Sequence, residues 1–109
     1  MNVEEKIIQV IMNAGSARSY AMEAAASARE KDFGHALELL EQADKSLVEA
    51  HKAHAELLSL SATGELELSL LLVHADDQLM AASVSIDFAR ELVDARRSLS
   101  TLEERLNAR

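Results

Sequence analysis

The 109-residue sequence has no cysteine, no proline and no tryptophan, and only three glycines. Lack of cysteine excludes disulfides and thiol chemistry. With no proline, and glycine confined to Gly15, Gly34 and Gly64, little interrupts a helix once it has started, so long helices are expected. Aromatic side chains are nearly as scarce. Tyr20, Phe33 and Phe88 are the full set, and much of the 49% hydrophobic content is alanine. A core of small side chains buries little area per residue, so a lone subunit would be marginal and association is expected.

Positive charge is also missing where it would matter for nucleic acid. The formal net charge is −8, and between Glu65 and Ala89 there are five acids and no lysine or arginine. That argues against a nucleic-acid surface. The longest apolar run, around Leu70, is cut by Asp76 and Asp77 before it could cross a bilayer. The opening Met-Asn-Val-Glu-Glu lacks the basic and apolar regions of a signal peptide. The expectation is a soluble, cytoplasmic, all-α protein forming a single domain over residues 1–109.

What the sequence does contain is helical periodicity. Asn2 followed by Glu5 forms a capping-box pattern, and Val3, Ile7, Val10, Ala14, Ala17, Ala21, Ala24 and Ala28 then recur at alternating spacings of four and three. Gly15 interrupts this seam, which implies a close backbone neighbour or a bend. Asp32 is the expected N-cap of a second helix and Phe33 its apolar anchor; so short a connection makes an antiparallel hairpin. The second seam of this hairpin is Ala36, Leu40, Ala43, Leu47, Ala50, His54 and Leu57, with Leu37, His51 and Leu58 beside it. Gly64 is the expected C-terminal residue of that helix. A third helix is predicted from about Glu65 to about Leu106, roughly 60 Å long at 1.5 Å per residue. The architecture is an up-down-up, antiparallel three-helix bundle with left-handed coiled-coil packing.

The third helix carries two apolar seams. One is Leu72, Ala75, Leu79, Ala82, Ile86, Ala89 and Val93, continued by Leu92, Ala95, Leu99, Leu102 and Leu106. The other, about 100° away, is Leu70, Val73, Asp77, Met80 and Val84. Two hairpin partners cover one seam, and the other needs helices from further copies. Copies meeting there around a rotation axis would bring their Asp77 carboxylates together, where they cannot all stay ionised and bare. A raised pKa or a bound hard cation would resolve this, and oxygen ligands favour magnesium or calcium over zinc. One turn before Asp77, on an adjoining part of the same face, is His74, whereas Asp76 lies about 200° round from it. A mostly neutral imidazole can serve as nucleophile, base or ligand, and the spacing alone leaves all three open.

The run His74, Ala75, Asp77, Leu79, Met80 resembles the signature His-Ala-Gln-Asp-His-Leu-Met of the lactose/chitobiose-type enzyme IIA of the bacterial sugar phosphotransferase system. The resemblance extends along nearly the whole chain: Ala14-Gly15-Ser16-Ala17-Arg18-Ser19 is similar to the family's Ala-Gly-x-Ala-Arg-Ser, Asp32-Phe33 to its Gly-Asp-Phe turn, Ala50-His51 to its Ala-His, and Gly64 to its interhelical glycine. It implies a homotrimer in which His74 accepts a phosphoryl group from the histidine phosphocarrier protein. His74 would then pass the group to the IIB component during uptake of a lactose-, cellobiose- or chitobiose-type sugar. It further implies that Asp77 lies on the trimer axis and binds a metal ion, with one Mg2+ per trimer as the expected cofactor. Contact with the membrane would come only through the transporter complex.

Two signature positions depart. Asp76 stands where the family has glutamine and, facing away from His74, is expected to have little effect on the chemistry. Gln78 stands where it has a second histidine; it keeps an N–H donor for a phosphoryl oxygen but cannot titrate. His54 falls where the family usually has glutamine. The expected phosphate-contacting residues are Gln78 and, across a subunit boundary, His51 or His54. Imidazole suits the reaction as a neutral nucleophile and good leaving group, and the surrounding acidic surface favours release of the cargo. The competing readings are a non-catalytic trimeric helical adaptor and a carboxylate and histidine metal enzyme; His51 and His54 could join Asp77 around zinc, although helical spacing of two histidines is weak evidence. Met12, Met22 and Met80 are expected to fill the core, His35 to be solvated, and Arg96, Arg97, Arg105 and Arg109 to suit a helix C-terminus.

Overall fold

In the computed structural model, which describes residues 2–109, three helices run in sequence: α1 (Val3–Arg29), α2 (Phe33–Ala62) and α3 (Leu70–Asn107). They form an elongated bundle measuring 67 × 18 × 18 Å. Asn2 caps α1 as expected. Its side-chain oxygen accepts from the Glu5 backbone N–H at 2.8 Å, and its amide reaches back to the Glu5 carboxylate at 3.4 Å.

The two connections close by the same device. At the end of α1, Lys31 adopts φ 65°, its N–H donating to Ala28 O at 3.0 Å while the Asp32 N–H donates to Ser27 O at 2.9 Å. At the end of α2, Gly64 adopts φ 75°, and the N–H groups of Gly64 and Glu65 donate to Ser61 O and Leu60 O at 3.1 and 3.0 Å. Both are Schellman closures, which satisfy the last carbonyls of a helix and need one left-handed residue. Glycine supplies it in one case and lysine, at a steric cost, in the other. Asp32 then caps α2 by accepting from the His35 N–H at 3.2 Å, and Phe33 packs against the core.

α3 begins later than the sequence suggests. Residues 65–69 are not helical, and the helix starts at Leu70 behind Ser69, whose hydroxyl accepts from the Leu72 N–H at 3.1 Å. The Glu65 N–H is already committed to closing α2, so serine is the first residue able to cap a new helix.

The core consists of Ile7, Val10 and the alanines at 14, 17, 21, 24 and 28 from α1, with Ala36, Leu39, Leu40, Ala43, Ala50, Ala53 and Leu57 from α2. From α3 come Ala75, Leu79, Ala82, Ile86, Ala89 and Val93. The first-helix seam is thus as predicted. On α2 the predicted flank is on the wrong side: Leu37 and Leu58 are exposed, and Leu39 and Ala53 are buried instead. On α3 the predicted continuation also fails, with Leu92, Leu99, Leu102 and Leu106 exposed. Stepping from Val93 to Leu92 follows hydrophobicity onto a neighbouring face about 100° away. The bundle-facing row runs instead to the buried Ser100 and to Glu103, which pairs with Lys31 at 3.0 Å. Met12, Met22 and Met80 are exposed rather than core filler. At Gly15 α1 continues unbroken, and a Cβ would meet nothing within 4 Å, so no backbone packs close to it.

α1 lies along both other helices, whereas α2 and α3 touch over much less of their length. Among the described residues, two polar side-chain pairs join α2 to α3: Asp44 with Arg90, through two bonds of 3.0 and 2.9 Å, and His54 with Asp76. Lys6 and Glu56 form a further pair between α1 and α2.

Candidate phosphoryl-transfer site

The Ser69 cap sets the phase of α3 and hence where its polar residues point. His74, five residues beyond the cap, is exposed. Leu70, one turn earlier, and the adjacent Val73 are exposed as well, so nothing in its own subunit closes over the ring. An exposed imidazole cannot be a satisfied core histidine, and it has the access that a nucleophile needs.

Gln78 is one turn further on and half-buried. It lines a shallow groove between α1 and α3 together with Gly15, Arg18, Ser19 and Met22. Its amide belongs to the same helix face as His74, at the i and i+4 spacing that lets side chains meet.

Asp77 is exposed in the single chain, within the stripe of Leu70, Val73, Met80 and Val84, all of which are exposed too. Nothing in its own subunit covers it. Among the described residues no three His, Cys, Asp or Glu side chains are grouped to hold a metal ion, so one chain offers a single carboxylate at this point.

The two α2 histidines separate. His51 is exposed. His54 is half-buried, its side chain 20% accessible, and its Nε2 lies 2.6 Å from Asp76 Oδ1 of the same chain. This pairing was not anticipated, although the signal was present: Asp76, about 200° round from His74, must face another helix, and His54 occupies the seam of that helix. His35 is exposed, as expected, with Glu38 3.8 Å away.

Known proteins share the sequence and fold that carry this imidazole. The family described as the lactose/cellobiose-specific IIA subunit of the phosphotransferase system (PTS) matches residues 5–97. The chain belongs to this family. The lichenan-specific phosphotransferase enzyme IIA component of Bacillus subtilis is 41% identical over 93 residues, covering 84% of each chain. The solved cellobiose-specific enzyme IIA of Bacillus anthracis superimposes with a TM-score of 0.88 at 37% identity, over 93% of this chain and 94% of that one. The IIA(chitobiose) complex with HPr from the Escherichia coli phosphotransferase system gives 0.81 at 33% identity, over 92% and 98%.

The predicted all-α bundle is thus the fold of a PTS IIA component. Such components are phosphohistidine carriers of sugar uptake, loaded by the histidine phosphocarrier protein and discharged to IIB, and this is the activity of the present IIA chain. Among its described residues no helix is long and apolar enough to cross a membrane.

Proposed function

We propose that His74 is the residue of this IIA component that carries the phosphoryl group, in transfer to the IIB component of a lactose-, cellobiose- or chitobiose-type transporter. The observation that carries the reading is its exposure on α3 at the position matching the histidine of the family signature. A ring-nitrogen lone pair attacks the phosphorus of the phosphocarrier's phosphohistidine and the N–P bond there breaks as the new one forms; in a second transfer the N–P bond at His74 breaks as the acceptor side chain of IIB bonds to phosphorus. The transition state is loose, so the protein chiefly aligns donor and acceptor and supplies donors to the phosphoryl oxygens. Gln78 is one such donor. His51, exposed on α2, is the other when it comes from a neighbouring copy; His54 is already engaged with Asp76.

The reading extends to a cytoplasmic homotrimer. The uncovered stripe of Leu70, Val73, Met80 and Val84 supports burial of this face between copies, with Asp77 at their axis. Three carboxylates form an oxygen donor set suited to one hard cation such as Mg2+, which would offset their mutual repulsion. Residues of one chain alone do not suffice for this. Asp77→Leu should therefore give a trimer whose melting no longer responds to a chelator, and a wild type equally indifferent to chelator would remove the metal from the reading.

The direct test is incubation with phosphoenolpyruvate, enzyme I and the histidine phosphocarrier, followed by 31P NMR. A phosphoimidazole resonance is expected in the wild type and in His35→Ala, and none in His74→Ala. No resonance in the wild type would leave a helical adaptor that has kept the fold without the chemistry.

A further inference from the structure

Asp76 puts a carboxylate two residues from the proposed phosphoryl acceptor, and His54 meets it at 2.6 Å from the facing helix. We propose that His54 is a positioning residue for phosphoryl transfer: its Nε2 bonds Asp76 and holds it toward α2, so that this carboxylate does not turn to oppose the phosphoryl anion on His74. The inference rests on the carrier reading of His74.

Three observations lead there. First, the pair is one of two polar side-chain contacts joining α2 to α3 among the described residues, and these helices touch each other less than either touches α1, so few other contacts fix where Asp76 lies. Second, the partners differ in exposure. The His54 side chain is 20% accessible and that of Asp76 55%, so the imidazole is held by its surroundings and the carboxylate is not. Third, removal of the imidazole would leave an exposed carboxylate without the partner that holds it, close to where a group bearing up to about two negative charges must be accepted. Two residues along a helix, on opposite sides of a cylinder about 10–12 Å across, place the charges roughly 10 Å apart. That is near the Debye length at physiological salt and well inside it at low salt, so the repulsion is felt and depends on ionic strength.

The test compares the wild type, His54→Gln, His54→Lys and the double variant His54→Gln/Asp76→Asn. Each is equilibrated with a fixed ratio of phosphorylated to free histidine phosphocarrier at low and high salt, and the phosphorylated fraction is read by 31P NMR. His54→Gln is expected to lower the transfer equilibrium constant about three- to tenfold at low salt, with most of the loss disappearing at high salt. The double variant, which removes the carboxylate together with its partner, returns to within about twofold of wild type, as does His54→Lys, which places a donor opposite Asp76. A loss that neither variant rescues, or one unaffected by salt, overturns the inference and leaves His54 as a packing residue or a direct phosphoryl ligand. A phosphorylated wild type with an unaffected His54→Gln also overturns it, while leaving the carrier reading intact. A wild type that accepts no phosphoryl group overturns both.

Discussion

α3 presents two apolar stripes about 100° apart, and they meet opposite fates. In one, Ala75, Ala82 and Ala89 alternate with Leu79, Ile86 and Val93, and all six are buried against the other two helices. In the other, Leu70, Val73, Met80 and Val84 flank a carboxylate and all remain exposed. Hydrophobicity alone does not separate them. Side-chain size does: the alternation of small and large residues lets the alanine row of α1 approach α3 closely, while the second stripe offers bulk and a charge. A bundle with only two other helices has nothing left to cover that second face.

The comparison breaks most readily by truncation on each side. Ile86→Ala should destabilise the protein by about 2–5 kcal/mol, whereas Val84→Ala should cost the isolated subunit no more than about 0.5 kcal/mol. Urea unfolding at low protein concentration measures both, and equal losses would mean that the stripes are not distinct. Next in size is an effect on association rather than folding. Met80→Glu should split the proposed trimer into single chains and abolish the concentration dependence of melting, with helical content retained in each chain.

Smaller effects sharpen the picture of what the subunit does and does not require. Lys31→Gly should stabilise by about 1 kcal/mol, because the left-handed conformation observed there is costly for lysine and nearly free for glycine. A rise of a few degrees in melting temperature is the readout. Gly15→Ala should gain about 0.5–1 kcal/mol of helix stability, since the added methyl group meets nothing in the subunit. If the same change instead weakens association, a second copy enters the groove that Gly15 lines beside Gln78.

Much of this was legible in the sequence because it rests on local chemistry. The Asn2 and Asp32 caps, the Gly64 closure and the first-helix seam each depend on residues within a few positions of one another, and each is found where it was expected. The errors share a cause. Apart from the late start of α3, which the Ser69 cap fixes locally, the choice between Leu92 and Ser100 as the row facing the bundle and the exchange of Leu37 and Leu58 for Leu39 and Ala53 both depend on how one helix is rotated against another. Apolar residues on both sides of a seam make either rotation plausible on periodicity alone.

The site divides in the same way. His74, Gln78 and Asp77 stood out because their spacing along one helix and the signature they form require no knowledge of the neighbours. The bond between His54 and Asp76 joins residues 22 positions apart on different helices. The sequence placed each on a face turned toward another helix, but that the two meet depends on how the bundle rotates α2 against α3.

By itself the chain determined that it would be helical, where the caps would fall, and which residues would share a face with the reactive imidazole, because helix geometry follows from residues three and four apart. Only the tertiary structure decided which of the two stripes on α3 is buried, that Asp76 turns to His54, and that His74 is left open to solvent. Those outcomes depend on the relative rotation of packed helices, which is set by how their side chains interlock.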